Sequence, residues 1–436
     1  MTTRYIHLAF PYFVSWYGFY ERECGHLRKT YDVIVTGARC SGSSLAIYLA
    51  RAGYRVLLLD RSSFPSDTLS TNTFFNNTVT LLRELGVMDE LLKTHVTPVQ
   101  QIKFQLEDTV VEGPMPLVNG EDTGYCIRRT YLDHLLFQQA EKEQNVTALE
   151  KFRLTDMIWE DEKVVGVRGV SAKTGVHEFY APLVVGADGR NSTIRQLVKS
   201  EKVLSSPSTV GIYFGYFSGI HPEREPAFEV YKKKDRMAIL FPTNHQMYVV
   251  VVNFPLENKE LLENFKRDPG KSIRQQVINH FPNTSLAERL KDAKLEESPK
   301  GLVGYENYWY RGMGDGWALV GDAICFKDPA MAQGIHDAIY GAKILANVIS
   351  KHTLQQPDWN QMSKEYQQSI QSEFMSRYYM GCELSKNQPI TVQENAINQL
   401  ISSNPILKEK FLGIYNYANE PEDFQNELLK IIGSNS

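Results

Sequence analysis

The sequence predicts an α/β protein whose central element is a parallel sheet. Val33–Thr36 is a short β-branched apolar run that ends at Gly37, and Val56–Leu59 is a second buried run of the same length. Between them, apolar residues recur at helical spacing from 45 to 50. A strand, a helix and a second strand in this order form a crossover unit, which places the two strands in parallel.

The pattern changes twice along the chain. Apolar and polar residues alternate between 154 and 185 and again between 210 and 254, which predicts antiparallel strands. Helices are predicted at 77–94, 131–143 and 335–349. The predicted organisation has four parts: an extension at 1–30, a discontinuous parallel-sheet domain (31–98, 121–200 and 300–352), an inserted antiparallel β lobe that holds the substrate (99–120 and 201–299), and a C-terminal helical region (353–436).

The amino-acid composition argues against several classes of function. The chain carries 47 basic and 51 acidic residues, a formal charge of −4. Nucleic-acid binding is not expected, because it needs a basic surplus. The five cysteines form no CxxC pair, so we expect neither a disulfide framework nor a metal site, and we predict a reducing, cytoplasmic location. No apolar stretch is long enough to predict a transmembrane segment.

The turn after the first strand resembles a phosphate-binding fingerprint. Gly37 and Gly42 stand at the first and last positions of G-x-G-x-x-G, between a strand and a helix, and Arg39 replaces the middle glycine. The N–H groups and positive dipole end of the helix favour a pyrophosphate, and Arg39 can add a charge-assisted contact. Asp60, at the end of the second strand, is placed to accept hydrogen bonds from a ribose and disfavours a 2′-phosphate. These features predict a Rossmann-like dinucleotide site without separating FAD from NAD.

Two later motifs each place an aspartate after a buried strand. Gly186-Ala187-Asp188-Gly189-Arg190 follows one strand, and Gly321-Asp322-Ala323 follows another. Ligands of open α/β sheets bind at the carboxyl ends of strands, so Asp322 is placed to hold a ribityl hydroxyl. Asp188 either caps the next helix or binds near the ribose and pyrophosphate.

Taken together, these motifs resemble those of the para-hydroxybenzoate hydroxylase-like flavoprotein monooxygenases. The resemblance runs from about residue 31 to 350. It is closest to the branch with G-A-R-C-x-G-S in the first turn, here at 37–43, and D-R-x-x-F-P-S-D-T-L-S-T after the second strand, here at 60–71. Arg129-x-x-Leu132 also resembles the Arg-x-x-Leu element of that family.

The resemblance implies FAD as the cofactor and assigns roles by position. Asp322 would hold the ribityl chain, Asp188 and Gly189 the pyrophosphate region, and Arg129 the phosphate and ribityl region. Residues 328–336 would pass the flavin ring. The predicted cofactor-binding residues are Gly37, Arg39, Cys40, Ser41, Gly42, Ser43, Asp60, Arg61, Arg129, Asp188, Gly189, Gly321, Asp322, Pro329, Gly334 and Ile335.

The family mechanism implies that NAD(P)H reduces FAD transiently, that O₂ adds at flavin C4a, and that the hydroperoxide transfers oxygen to a small organic substrate. Because the flavin carries this chemistry, the sequence identifies no catalytic residue. The roles of several polar residues near the predicted site stay open: Asp67, Ser70, Asn72, Lys327, Asp328 and His336.

Three alternatives stay open as well: a reductase of the geranylgeranyl reductase type, a flavin halogenase, and a flavoprotein that binds without catalysing. The W-x-W-x-I-P run of the halogenases is absent, since Trp309 and Trp317 stand in other contexts. The replacement of a glycine by Arg39 is what leaves a binding module open, and the intact Asp60, Asp188 and Asp322 argue against it.

Overall fold

A computed structural model describes residues 31–70 and 72–434, together with the backbone of the strands Arg22–Glu23 and His26–Leu27. The rest of the predicted extension lies outside the described residues. The prediction of an α/β fold with a parallel sheet, an antiparallel lobe and C-terminal helices is confirmed. The predicted domain boundaries stay a prediction.

The central sheet has six strands, five of them parallel. Its spatial order is Val146–Leu149, Val56–Leu59, Val33–Thr36, Leu183–Gly186, Trp317–Leu319 and the short antiparallel edge strand Met313–Gly314. The three middle strands are completely buried, because helix Cys40–Arg51 packs on Val33–Thr36 and Val56–Leu59, and the antiparallel strand Lys163–Ser171 packs on Leu183–Gly186. This burial explains why they are continuous apolar runs instead of alternating ones.

Five helices accompany this sheet: Cys40–Arg51, Asn76–Leu85, Met88–Leu92, Arg129–Lys142 and Gly334–Ser350. The single helix predicted at 77–94 is wrong, because Gly86 adopts a left-handed conformation (φ 81°) and ends the first of two helices. A three-stranded antiparallel sheet, Phe152–Glu160, Lys163–Ser171 and Gly175–Tyr180, precedes the strand Leu183–Gly186.

A second large sheet forms the lobe. Its strands, in spatial order, are Lys294–Leu295, Val210–Ser218, Tyr248–Pro255, Arg236–Pro242, Ala227–Lys233, Gln101–Leu106 and Thr109–Pro114, and Lys300–Leu302 also pairs with Val210–Ser218. Neighbouring strands are antiparallel except Ala227–Lys233 and Gln101–Leu106, which are parallel. We call this the lobe sheet.

Both faces of the lobe sheet are covered. Three helices pack on one face: Lys259–Arg267, Pro269–His280 and Ser285–Lys291. The other face contacts C-terminal helices through Ile401, Leu407 and Leu412. The C-terminal helices are Trp359–Leu384, Val392–Ser403, Pro405–Tyr415 and Pro421–Ser434. Among the described residues, no helix is both long and apolar enough to cross a membrane.

Two small three-stranded sheets join the lobe to the central domain. One contains Thr73–Phe74, Gly124–Cys126 and Pro98–Val99, and the other contains Lys202–Pro207, Glu306–Tyr310 and Cys325–Phe326. Short helices at Thr193–Leu197, Asn244–Gln246, Gly321–Ala323 and Pro329–Met331 complete the described elements.

Gly42 allows the first helix to lie against the turn that precedes it. A Cβ atom at Gly42 would lie 1.7 Å from the Gly37 carbonyl oxygen. We therefore expect Gly42→Ala to lower the free energy of unfolding by more than about 2 kcal/mol, since backbone must move. Gly53→Ala is the control. The φ of +93° at Gly53 is unfavourable for alanine, but no atom lies within 4 Å of the added Cβ atom, so the free energy of unfolding should fall by only about 1 kcal/mol. Urea unfolding measures both, and equal losses would contradict this packing argument.

Candidate functional site

Three strands of the central sheet end side by side, and each is followed by one of the predicted motifs. Leu183–Gly186 lies between Val33–Thr36 and Trp317–Leu319. Parallel strands end at the same edge of a sheet, so Asp188 and Asp322 lie beside the first glycine turn. A Cβ atom at Gly321 would lie 2.9 Å from Ser41 Oγ, which shows how closely the first and last motifs approach each other.

The first helix begins at this edge without a side-chain cap. Arg39 occupies the N-cap position of Cys40–Arg51, and no side chain accepts a hydrogen bond from the N–H groups of the first turn. Ser43, one turn later, donates its hydroxyl to the Ala38 carbonyl oxygen at 2.7 Å. The N–H groups of Cys40, Ser41 and Gly42 thus remain available to an anion.

Asp60 connects the glycine turn to the neighbouring strand end. Its buried carboxylate accepts hydrogen bonds from the backbone N–H of Ala38 at 2.7 Å and of Ser62 at 2.7 Å. Each oxygen keeps a further lone pair for a ribose hydroxyl. Arg61, which was also predicted to contact the cofactor, is exposed.

A buried carboxylate that the sequence analysis did not single out organises two predicted arginines. Asp133 is completely buried and accepts hydrogen bonds from Arg39 at 2.5 Å and from Arg129 at 2.8 and 2.9 Å. The thiol of Cys40 also contacts it at 3.3 Å, and burial raises the pKa of this thiol to about 12. Arg39 further bonds the carbonyl oxygens of Ser66 and Asp67, so its guanidinium lies against the loop after the second strand.

The half-buried carboxylate of Asp322 lies at this edge and makes no hydrogen bond with the described residues. Burial raises its pKa to about 6, although Arg129, Arg190 and Arg195 oppose this shift. The backbone is fixed separately, because Tyr308 donates its hydroxyl to the Asp322 carbonyl oxygen at 2.7 Å.

Asp188 uses its carboxylate to hold the next helix. One oxygen accepts from Ser192 Oγ at 2.5 Å, and the other accepts from the backbone N–H of Thr193 at 2.6 Å and Ile194 at 3.2 Å. Gly189 follows with φ +77° and no atom within 4 Å of a Cβ placed on it. Asp188 thus caps the next helix, which is one of the two roles predicted for it. A cofactor contact through this residue stays a prediction.

The segment after Asp322 leads into the longest helix of the central domain. Lys327 forms buried contacts with Asp337 at 2.6 Å and with Gln333 at 2.8 Å. Burial acts to raise the pKa of Asp337, but Lys327 and His336 together outweigh it and hold that pKa well below its usual range. His336 is buried against Tyr417, with ring centroids 4.3 Å apart, and burial lowers its pKa. His336 thus packs against Tyr417 and also contacts the Asp337 carboxylate through Nδ1 at 3.1 Å.

An apolar cavity separates this segment from the lobe sheet. Its volume is about 20 Å³. The sheet side is formed by Ile212, Ile239, Phe241, Val251 and Asn253, and the other side by Pro329, Ala330 and Ala332. The carboxylate of Asp328, next to this wall, is already engaged by the Tyr305 hydroxyl and the Ala330 N–H. Of the predicted residues, Pro329 thus lies between the central domain and the lobe.

The other polar residues left open lie at different places. Asn72 is buried and donates to the hydroxyl of Tyr216 in the lobe sheet, while Asp67 pairs with Lys300 at the surface. Sequence reasoning did not predict Asp133 or Asn253. The spacing of Arg129 and Asp133, four residues apart in a predicted helix, was a usable signal for the first; no local pattern marks the second.

The comparison with protein families shows the family to which the chain belongs. The model of a family described as "FAD binding domain" matches residues 30–356, most of the chain. The chain belongs to this FAD-binding family. The match confirms FAD as the cofactor and the family resemblance indicated by the motifs, whereas the G-A-R-C-x-G-S branch stays a prediction.

The relatives of this FAD-binding chain include monooxygenases and halogenases. Mouse squalene monooxygenase is 25% identical over 319 residues, which cover 72% of this chain and 54% of that enzyme. Kynurenine 3-monooxygenase of Christiangramia forsetii is 23% identical over 358 residues, which cover 78% of this chain and 77% of that enzyme. The chain thus spans about half the length of the squalene enzyme. The structure of the flavin-dependent brominase Bmp2 has a TM-score of 0.77 at 18% identity over 93% of this chain and 100% of the brominase, which shows the shared fold.

The residues at the strand edge fit FAD. The uncapped first helix offers N–H groups to a pyrophosphate, Asp60 keeps acceptor capacity for a ribose, and Asp322 is an acceptor without a donor beside Arg129. These residues are the ones we expect to hold the cofactor.

Asp322→Ala tests this assignment. Loss of a hydrogen bond to a charged acceptor should weaken FAD binding roughly 10- to 100-fold. Asp315→Ala is the matched control, because Asp315 is exposed and seven residues away in the chain. Fluorescence titration of the apoprotein with FAD measures both. An affinity that is unchanged in Asp322→Ala would contradict the role of this carboxylate.

The raised pKa of Asp322 makes the stability of the FAD-free protein depend on pH. The folded apoprotein keeps this proton up to about pH 6, whereas the unfolded chain releases it near its ordinary value of 3.8. Stability from this group is therefore lost as the pH rises from about 4 to about 6. Asp322→Asn should make the apoprotein more stable at pH 8, by on the order of 1–3 kcal/mol, and the gain should vanish near pH 4. Urea unfolding across this range measures it, with Asp315→Asn as control; a gain independent of pH would contradict the assignment.

Proposed function

We propose that the protein is an FAD-dependent monooxygenase that uses NAD(P)H and O₂ to insert one oxygen atom into a small organic substrate. The observation that carries the proposal is the position of residues 327–335. This segment runs directly from the Asp322 edge to the apolar cavity under the lobe sheet, and Pro329, Ala330 and Ala332 form one wall of that cavity. A cofactor held at Asp322 would thus stand next to a space from which water is largely excluded.

When bound, FAD supplies the redox chemistry: it takes a hydride from NAD(P)H and allows the reduced cofactor to react with O₂. The residues of the chain position the cofactor and keep water away from it. Gly334–Ser350 begins beside the cavity wall, and the positive end of its dipole stabilises negative charge at that place. Lys327 is neutralised by Asp337, so it adds no net charge to the wall. The overall balance is NAD(P)H, H⁺, O₂ and substrate giving NAD(P)⁺, water and the oxygenated product.

The reductant has no Rossmann domain of its own in this proposal. The sequence contains no second strand, G-x-G-x-x-G and helix in succession, so NAD(P)H would visit the flavin transiently. A reducing compartment such as the cytoplasm is supported by the cysteines, because the described part of the chain contains no disulfide.

A flavin halogenase is the second candidate, since the fold is shared with the brominase Bmp2. The two tryptophans that the sequence analysis considered do not support it. Trp309 is buried against Tyr378, and Trp317 lies in the central sheet. Neither residue lines the apolar cavity.

Labelled dioxygen separates these candidates. We expect the FAD-loaded protein, given NADPH or NADH, to incorporate one heavy oxygen atom per turnover into an organic acceptor from a panel that includes squalene, kynurenine and pyrrole amides. Mass spectrometry of the products with and without bromide measures the outcome, and an anaerobic sample is the control. A product that gains hydrogen without oxygen would establish a reductase, and a bromide-dependent product that carries the halogen would establish a halogenase.

A further inference from the structure

Asn253 is a polar residue in an apolar part of the lobe sheet. It lies in Tyr248–Pro255, opposite Ile212 on one neighbouring strand and Met237 on the other. Only 1% of its surface is exposed. It shares a face with Val249 and Val251, the face that is turned towards the apolar cavity.

Both polar atoms of the Asn253 side chain lack a hydrogen-bond partner. Neither Oδ1 nor Nδ2 is bonded to any described residue. Other buried asparagines satisfy at least one of these atoms: Asn307 donates to Ser206 and Ser385, and Asn72 donates to Tyr216. A buried amide without partners is costly, so its persistence at a cavity wall points to a ligand that supplies them.

We infer that Asn253 is the polar anchor of the substrate and that this substrate is a neutral, largely apolar molecule with adjoining hydrogen-bond donor and acceptor groups, as in a carboxamide or lactam. The inference rests on the proposed function and names the substrate class for the same site. The side-chain amide offers one donor and one acceptor edge, which an amide group complements with two hydrogen bonds.

The walls of the cavity explain why the ligand should be neutral. The other lining residues are apolar: Ile212, Ile239, Phe241, Val251, Pro329, Ala330 and Ala332. The nearest carboxylate of the wall segment, Asp328, is committed to Tyr305 and Ala330. None of the described residues that line the cavity is cationic, so an anionic analogue would lose its hydration without gaining a partner.

The cavity is too small for a ring-sized substrate, so part of its wall must move for such a substrate to bind. A volume of about 20 Å³ holds little more than a water molecule. Pro329, Ala330 and Ala332 form the wall opposite the sheet, and Ala332 has a left-handed backbone (φ +55°). A ring-sized ligand therefore requires this short segment to shift while the strands stay in place. A single water bonded to Asn253 is the competing occupant.

Binding of three matched probes to the FAD-loaded protein tests the inference. Benzamide presents the donor and acceptor, benzoate is its anionic analogue, and toluene is its apolar analogue. We expect benzamide to bind and to change the flavin absorbance, benzoate to bind at least about tenfold more weakly, and Asn253→Leu to weaken benzamide about tenfold or more without weakening toluene. Calorimetry and absorbance titration measure these affinities.

Two further variants keep the test decisive. Asn253→Val repeats the change with a β-branched residue suited to the strand, in case leucine does not fit. Asn283→Leu makes the same chemical change at an exposed position and should leave benzamide binding as in the wild type. Both Asn253 variants should also unfold at a higher denaturant concentration than the wild type in the absence of probe, which a purely structural role for Asn253 would not produce.

The inference would be overturned if benzamide does not bind the wild type, if it binds Asn253→Leu and Asn253→Val equally well, or if a crystal structure with benzamide shows only water at Asn253. Failure of the proposed function is a separate result. In that case benzamide binding would still depend on Asn253, while no oxygen from labelled dioxygen entered any product.

Discussion

The carboxylate of Asp322 lies at the carboxyl end of a buried strand, surrounded by the charges of three arginines but bonded by no donor of the described chain. Burial without hydrogen bonds raises its pKa to about 6, so the folded chain pays for keeping this group ionised at neutral pH. A ligand that donates hydrogen bonds at this point offsets that cost. The fold around it is consistent with such a site, because the first glycine turn and the Asp322 turn are in close contact through Ser41 and Gly321.

The buried carboxylate of Asp133 positions the arginines near Asp322. Asp133 binds both Arg39 and Arg129, and thereby holds one arginine at the loop after the second strand and the other close enough to affect Asp322. The replacement of a fingerprint glycine by Arg39 is therefore accommodated, since the guanidinium is directed to a partner on a different helix. It does not by itself argue against cofactor binding.

The parts of the fold set by local sequence could be predicted. Val33–Thr36 and Val56–Leu59 have the predicted bounds, because each is a continuous apolar run enclosed by turn residues. The helix predicted at 77–94 failed at Gly86, where a glycine stops one helix and the next begins two residues later. The direction of Arg39 depends on Asp133, 94 residues away in the chain, which no local pattern reveals.

Asn253 shows a deeper limit of sequence reasoning. In a strand with one exposed face, a polar residue among valines indicates the side turned to solvent. The lobe sheet is covered on both faces: Val250 and Val252 pack against one helical layer, whereas Val249 and Val251 belong to the cluster around the cavity. Only the three-dimensional arrangement shows that Asn253 faces a cavity.

The most direct measurement of the central claim is a crystal structure of the protein with FAD bound. We predict that a ribityl hydroxyl donates a hydrogen bond to the Asp322 carboxylate, with the pyrophosphate at the N-terminus of Cys40–Arg51 and the ring against residues 328–336. A flavin bound elsewhere, or an Asp322 carboxylate that still makes no hydrogen bond in the loaded protein, would contradict it.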